Sequence, residues 1–386
     1  MNTNTANLLY WFTIEPYVFV GISSTTVLLY NTLDGNVVES QNSTVLRLMR
    51  NLLMKENNGV VGITKEEYSN EGINGFISLV RKYYMGDLIE TSLSKSKPIQ
   101  ILPYCSFLDK EDICGNIKYF PYDDILENLF EINIHVDNEL DIAATSSFLQ
   151  SLPANVRRNI FINKEINPFI IDSLFTLLND QSLESSIHCS YLSVLGLPEI
   201  IVERTSMIVE ISFPLVDKIW KLTKEKLEHL RVSAEYILTI KSYSDFFDAN
   251  TFIEKYITGS YCIKPVYSND NKEFFEQFVY LTKEDILSSP ISMQDIFLHQ
   301  ALNSNDYGKL NILSNGDVHA NVNDPMLGNI HTDNILKLIH KEFKDGKSWF
   351  RIRNEYPCNK CVYQWLCPSP SDYEREIGKP NLCHLY

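Results

Sequence analysis

Four cysteines near the carboxyl end of this 386-residue chain have the spacing of a metal site. They form the pattern C-x2-C-x5-C-x15-C within the last 29 residues, which hold half of the eight cysteines in the chain. The four are Cys358, Cys361, Cys367 and Cys383. Four converging thiolates can bind a [4Fe–4S] cluster or a zinc ion. We therefore predict a metal or cluster site rather than four unrelated buried thiols.

The spacing favours an iron–sulfur cluster over zinc, which remains the alternative. Structural zinc sites usually use two short C-x2-4-C pairs, and only Cys358 and Cys361 form such a pair here. Cys367 and Cys383 stand singly, which suits a cubane that accepts ligands from separate segments. His384 could offer a nitrogen ligand, but we interpret it as an ordinary surface histidine.

The last part of the chain resembles a SPASM domain, the auxiliary-cluster module of radical S-adenosylmethionine (SAM) enzymes that modify peptides. The matching sequences are LNILSNGDVHANV from Leu310, LGNI at Leu327–Ile330, SWFRIR at Ser348–Arg353, CNKCVYQWLCPSPSDYE from Cys358 and NLCH at Asn381–His384. In the full pattern seven cysteines bind two clusters. The four cysteines of the tail match all four ligands of the second cluster.

The ligands of the first SPASM cluster are missing. Asn321 and Ser371 stand where the family pattern has cysteines, and no cysteine lies between Cys262 and Cys358 to supply the third ligand. The resemblance therefore implies one [4Fe–4S] cluster in the tail.

The catalytic motif of radical SAM enzymes is also missing. These enzymes bind their catalytic cluster through C-x3-C-x2-C after the first barrel strand, and the corresponding place, after KPIQILPY, has only Cys105 and Cys114. Neither that motif nor the Gly-Gly-Glu stretch that contacts the methionine part of SAM occurs in the chain. We interpret Cys105 and Cys114, like Cys189 and Cys262, as small buried residues.

The chain thus resembles the pseudo-radical-SAM/SPASM proteins of the Gly-Gly-leader peptide maturation systems of Bacteroidales. The resemblance implies a protein that does not use SAM and has no catalytic residue. Its implied partners are a precursor peptide with a Gly-Gly leader and a true radical SAM maturase. An iron–sulfur oxidoreductase, whose cluster relays electrons during peptide modification, is the alternative function.

Composition and charge argue against a nucleic-acid-binding protein and against a membrane protein. A net charge of −15 and a pI near 5.0 argue against nucleic acid and an anionic membrane surface as partners. The N-terminal sequence lacks the basic region of a signal peptide, and no apolar run approaches the roughly 18 residues of a membrane span. We predict a cytoplasmic protein whose thiols bind metal rather than form disulfides.

Residues 1–95 are predicted to form a winged-helix-like domain. The LLYNTLDG segment and the helices after it resemble leader-peptide recognition elements, which bind an extended leader by strand addition. A small cap that packs on the barrel is the alternative. The predicted elements are a hairpin of Val27–Tyr30 and Asn36–Glu39 that turns at Asp34-Gly35, a helix capped by Ser43, a helix with a Thr64/Glu67 capping box, and a helix over Ile73–Tyr84.

Residues 96–305 alternate predicted strands and helices, which indicates βα units around a parallel sheet and an α/β fold. The resemblance implies a degenerate, partial (βα)6 TIM-like barrel of the radical SAM type. The predicted strands are Ile99–Pro103, Phe130–His135, Asn159–Ile162, Ile187–Leu192, Met207–Phe213, Tyr236–Ile240 and Tyr261–Val266. The predicted helices are Asp123–Leu129, Ala144–Ser151, Pro168–Leu178, Asp217–Leu230 and Phe246–Tyr256.

Residues 306–386 form the predicted SPASM domain, in which a helix at about Asn334–Phe343 braces the cluster. The sequence has no Gly-rich phosphate loop and no nucleophile elbow. We interpret His135, His188 and His299 as hydrogen-bonded core or loop residues rather than ligands.

Overall fold

The computed structural model describes residues 8–94, 96–103, 122–162, 166–179, 185–198, 205–230 and 232–385. The described strands form two three-stranded sheets and one sheet of nine strands that is mostly parallel. The α/β class predicted from the sequence is confirmed.

The N-terminal part of the chain builds the two small sheets, both antiparallel. Their strands are β1 (Leu8–Ile14), β2 (Val18–Ile22), β3 (Val27–Asn31), β4 (Val37–Ser40), β5 (Val60–Thr64) and β6 (Gly86–Glu90). One sheet has the order β5-β1-β6 and the other β2-β3-β4. The predicted hairpin is confirmed as β3 and β4, and its turn contains Gly35 at φ 75°, a conformation that glycine adopts without strain. Sequence reasoning missed the other four strands, β1, β2, β5 and β6.

Three helices accompany these sheets: α1 (Ser43–Leu52), α2 (Lys65–Tyr68) and α3 (Glu71–Lys82). The predicted capping box of α2 is confirmed. The Thr64 N–H donates to Glu67 Oε2 at 2.9 Å, and the Glu67 N–H donates to Thr64 Oγ1 at 3.2 Å. The predicted cap of α1 is wrong. The helix is capped by Asn42 and not by Ser43, because the side chain of Asn42 accepts the N–H of Thr44. Apolar residues of α1, α3 and both sheets share one core.

The nine-stranded sheet forms the centre of the molecule. Its strands are β7 (Glu131–Val136), β8 (Arg157–Ile162), β9 (Ser185–Ser190), β10 (Thr205–Ser212), β11 (Ala234–Ile240), β12 (Tyr261–Pro265), β13 (Lys309–Ile312), β14 (Asp317–His319) and β15 (Gly328–Asn329). Their order is β12-β11-β10-β9-β8-β7-β13-β14-β15. The six strands β7 to β12 are neighbours in chain order and run parallel, β13 joins β7 in parallel, and β14 and β15 are antiparallel additions.

Helices connect these strands and lead into the tail. They are α4 (Ile142–Gln150), α5 (Pro168–Asn179), α6 (Asp217–Leu230), α7 (Tyr243–Tyr256), α8 (Lys272–Val279), α9 (Lys283–Ile286), α10 (Met293–Ala301), α11 (Ile335–Asp345) and α12 (Asp372–Ile377). The strand and helix predictions for residues 130–266 agree with the structure to within about three residues at each end, which is the usual uncertainty of element boundaries.

Two predictions at the start of the middle region are wrong. Residues 99–103 are not a strand: Ile99 and Ile101 are 71% and 82% exposed, so no apolar face is buried to hold one. This segment instead follows the N-terminal sheets, where the Gln100 N–H donates to Asn58 O at 2.9 Å. The helix predicted at 123–129 is a 3-10 helix at Tyr122–Asn128. Cys105 and Cys114 lie outside the described residues.

The large sheet continues across the predicted boundary between residues 305 and 306. In the parallel pairing of β13 with β7, Asn311 lies opposite Asn133. The start of the tail is therefore built on the same sheet as the middle region. In the described part of the chain, no helix is long and apolar enough to cross a membrane.

Candidate metal centre

The structure places the four tail cysteines in the wall of one cavity. This cavity, which we call the thiol cavity, has a volume of about 20 Å³. Its lining includes Cys358, Cys361, Cys367 and Cys383, together with Arg353. Cys358 is buried, and the other three cysteines are half-buried. The four thiols of the sequence pattern therefore share one enclosure.

Short local contacts position the first three cysteines. Cys358 begins a single 3-10 turn, and its carbonyl accepts the Cys361 N–H at 2.9 Å. The Cys367 N–H donates to the Tyr363 carbonyl at 3.0 Å, which folds the next residues into a second turn. Tyr363 is buried in an apolar cluster with Leu28 of β3. The loop that carries these thiols is thus packed against the N-terminal region.

The fourth cysteine is held by a more distant part of the chain. Leu281 forms a parallel bridge with Cys383, in which the Leu281 N–H donates to Leu382 O and the His384 N–H donates to Leu281 O, both at 3.0 Å. Asn381 Nδ2 lies 3.3 Å from Cys383 Sγ and donates to it. Outer contacts of this kind orient a thiolate ligand.

Arg353 is the charged side chain in the wall of the thiol cavity. Its Nη2 lies 2.9 Å from Glu374 Oε1, and both side chains are less than a tenth exposed. Its Nε donates to the Pro368 carbonyl at 2.6 Å. Burial raises the pKa of Cys358 and raises that of Cys367 to about 12, and the guanidinium of Arg353 opposes both shifts. A fixed positive charge thus lies beside thiols that burial alone would keep protonated.

Sequence reasoning did not single out Arg353 as a site residue. It appeared only as the last residue of the SWFRIR match, and an arginine in a tail with several other basic residues gives no signal of its own. Its position beside Cys358 and Cys367 depends on its buried pairing with Glu374, which the spacing of the cysteines does not reveal.

A compact single-ion site is not seen. Over the residues that the structure describes, no three His, Cys, Asp or Glu side chains are arranged to hold one metal ion. His384 is exposed and lies against Tyr280, with the ring centroids 5.6 Å apart. This agrees with its interpretation as a surface histidine.

The two positions where the resemblance would place cysteines of a first cluster are built into a polar network. Asn321 is 4% exposed, and its Nδ2 donates to Asp306 Oδ1 at 2.9 Å and to Asp372 Oδ1 at 2.8 Å. The Ser371 N–H donates to Glu374 Oε2 at 2.8 Å and so caps α12. Both residues have hydrogen-bonding roles of their own.

The three histidines named from the sequence are hydrogen-bonded, as predicted, and lie outside the thiol cavity. The rings of His135 and His188 stack on opposite sides of Phe161, with centroid distances of 5.1 and 4.1 Å. His188 Nε2 lies 2.8 Å from Ser186 Oγ. Burial lowers the pKa of His188 to about 4, with smaller contributions from His135 and Lys264.

Two further cysteines can be placed. Cys189 is buried in the main core, as predicted. The same prediction for Cys262 is wrong, because Cys262 lies on the edge strand β12 and is exposed.

The comparisons with known proteins do not assign this chain to a family. No protein-family model and no curated protein matches the chain. Among solved structures, SuiB of Streptococcus suis is 14% identical over 97% of this chain and 100% of its own, with a TM-score of 0.42. MccB of E. coli with ATP is 12% identical over 53% of this chain and 64% of its own, with a TM-score of 0.14. TM-scores this low establish neither a shared fold nor a shared activity.

Proposed function

We propose that this chain is a pseudo-radical-SAM/SPASM protein, a cytoplasmic and non-catalytic accessory in the maturation of a ribosomally made peptide. It holds a single [4Fe–4S] cluster through Cys358, Cys361, Cys367 and Cys383. Its partners are a precursor peptide with a Gly-Gly leader and a radical SAM maturase.

The observation that carries the proposal is the thiol cavity. A cubane takes one thiolate at each of four corners, so its ligands surround a space rather than meet at a point. Zinc lies directly between its sulfurs, at about 2.3 Å from each, and structural zinc sites usually draw their thiolates from two short pairs. A cavity walled by the four thiols and by the apolar side chains of Leu281, Leu382 and Leu385, with its ligands from separate segments, supports the cluster.

The charge of the site also fits a cluster. Four thiolates together carry more negative charge than the iron and sulfide core offsets, and a buried negative group is costly unless a positive group lies nearby. Arg353 supplies that group, and Glu374 and Pro368 O hold it in place. The bound cluster would supply either one-electron chemistry or structural cohesion of the tail.

The N-terminal region supports a leader-binding role. Its elements follow the order helix, strand, helix, helix, strand in α1, β5, α2, α3 and β6, with β1 between β5 and β6 in the sheet. This order supports the winged-helix-like domain that we propose. The separate β2-β3-β4 sheet offers edges to which an extended peptide can add.

The middle region supports a degenerate barrel. Six parallel strands in chain order, β7 to β12, are what a partial (βα)6 barrel requires. The sequence has no C-x3-C-x2-C motif to place a SAM-binding cluster on this sheet, so we assign it a docking role rather than a catalytic one.

Co-expression tests this function. The full-length protein, tagged and produced anaerobically, should co-purify with a co-expressed precursor that has a Gly-Gly leader and with a co-expressed radical SAM maturase. It should form no 5′-deoxyadenosine from SAM under a strong reductant. Cofactor cleavage that survives removal of contaminating enzymes, or purification without either partner, would contradict the proposal.

A further inference from the structure

A clamp of three side chains joins the N-terminal region to the cysteine loop, residues 358–367. Glu39 of β4 lies at its centre. The carboxylate oxygen Oε1 of Glu39 accepts the hydroxyl of Tyr363 and lies 2.5 Å from Lys283 Nζ at the start of α9. Lys283 Nζ also lies 5.7 Å from the centroid of the Tyr363 ring. We call these three side chains the Glu39 clamp, and they join three segments that are far apart in the chain.

The Glu39 clamp is a directional contact and not only a region of apolar packing. Tyr363 is 6% exposed, and the side chains of Glu39 and Lys283 are 30% and 41% exposed. A hydroxyl that donates to a carboxylate forms a shorter and stronger hydrogen bond than one between neutral groups. The ring of Tyr363 therefore has one preferred position relative to β4.

The strand β2 contacts the same loop through its backbone. A Cβ atom on Gly21 would lie 2.5 Å from the carbonyl oxygen of Val362, a distance that real Cβ atoms essentially never show. Glycine at this position allows the two backbones to approach closely. Since Val362 and Tyr363 directly follow Cys361, the N-terminal sheet touches the loop at two successive residues beside a thiol.

Short connections link the Glu39 clamp to the thiols on both of its sides. The Tyr363 carbonyl accepts the Cys367 N–H at 3.0 Å, and Cys367 packs against the apolar cluster that contains Tyr363. On the other side, Lys283 lies two residues after Leu281, which forms the bridge with Cys383. A shift of the clamp would therefore change the separation of Cys367 from Cys383.

We propose that Glu39 is a positioning residue for the metal centre, and that the β2-β3-β4 sheet controls how firmly the centre holds its metal. This inference rests on the proposed function, because it concerns the same four thiols, and makes it more specific. The loss of an outer contact that orients a ligand typically lowers metal affinity about 10- to 100-fold. Because coupling between two sites is reciprocal, metal in the thiol cavity should also order β4.

Metal release from the full-length protein, purified without oxygen, tests the Glu39 clamp. The rate of iron transfer to a chelator should rise at least about tenfold in Glu39→Gln, which removes the charge, and in Tyr363→Phe, which removes only the hydroxyl. Tyr30→Phe is the matched control. The Tyr30 hydroxyl accepts the Ile291 N–H at 2.7 Å in the same apolar cluster, and this bond joins β3 to the segment before α10 rather than to the cysteine loop. This variant should release iron within about twofold of the wild type, because it removes no outer contact of a ligand.

Hydrogen exchange gives a second readout, which simple packing of the N-terminal region would not change. Removal of the metal from the wild-type protein should speed amide exchange in β3 and β4 and leave the β5-β1-β6 sheet unchanged. In Tyr363→Phe this difference between the metal-bound and metal-free protein should disappear. Release rates that match the wild type in both clamp variants, equal acceleration in Tyr30→Phe, or exchange in β4 that does not respond to the metal would each overturn the inference.

A separate measurement distinguishes failure of the cluster from failure of the clamp. If the wild-type protein holds no iron, the proposed cluster is wrong, and the clamp is tested on the thiols of the metal-free full-length protein. Alkylation of Cys367, measured by mass spectrometry relative to the exposed Cys262, should then be at least about tenfold faster in Tyr363→Phe, since a hydrogen bond to a charged group contributes that much to holding the loop closed. An unchanged ratio would overturn the inference.

Discussion

The side-chain amide of Asn321 lies 2.8 Å from the carboxylate of Asp372 and donates to it. The resemblance to SPASM domains would place a cluster cysteine at position 321, yet this residue is tied into a network around Arg375. Arg375 pairs with Asp372 at 2.8 Å, with Asp306 at 3.3 Å and with Asp324. The ion pairs of Arg375 with these three carboxylates thus connect the segments of the tail around Asn321.

Arg375→Met should destabilise the protein by about 3 kcal/mol, because it leaves the mostly buried carboxylates of Asp306 and Asp324 without their cation. The free energy of unfolding in urea measures this. Arg81→Met is the control, since Arg81 and Asp87 form an ion pair that is more than half exposed, and it should change stability by less than about 1 kcal/mol. Equal effects of the two substitutions would show that the network contributes little.

The Arg353–Glu374 pair should show strong coupling. Arg353→Met and Glu374→Met should each destabilise the protein by about 3 kcal/mol or more, since each leaves a buried charge unpaired. The double variant should be less destabilised than the sum, with a coupling of at least about 1.5 kcal/mol in a double-mutant cycle. Additive effects would mean that Arg353 acts independently of Glu374.

Asn42→Ala should cost about 1 kcal/mol of stability because it removes the cap of α1. Ser43→Ala, one residue later, is the matched control and should stay within about 0.5 kcal/mol of the wild type. A larger loss in the serine variant would restore the cap predicted from the sequence.

His188 should make the free energy of unfolding depend on pH. Its pKa in the folded protein is lowered to about 4, so between its unfolded pKa and that value the unfolded chain binds more protons than the native one. Stability should therefore fall as the pH decreases from about 6.5 to 4. His188→Gln should flatten the decline of the urea midpoint over that range. A ring-proton titration of His188 near its ordinary value would contradict this.

Local signals in the sequence predicted the elements that local contacts build. The Thr64/Glu67 capping box, the turn at Gly35 and the strand–helix alternation of residues 130–266 depend on near neighbours or on periodic burial. Ile99 and Ile101 show where this fails, since alternating isoleucines indicate a strand only where another element covers them.

The rest of the site depends on contacts between distant segments. Leu281 holds Cys383, Glu374 orients Arg353, and β13 pairs with β7, and each of these relations is set by tertiary packing. The cysteine spacing therefore predicted the candidate ligands, but it could not reveal the charged side chain of Arg353 beside them.

Iron and sulfide analysis of the full-length protein, purified without oxygen, tests the central claim most directly. We predict about four iron atoms and four sulfides per chain, the content of one cubane. Cys361→Ala should lose the cluster and loosen the tail, because metal binding free energy is also folding free energy. Cys262→Ala, which removes an exposed thiol outside the thiol cavity, should keep full iron content. One tightly bound zinc per chain without iron, or full iron in Cys361→Ala, would contradict the account.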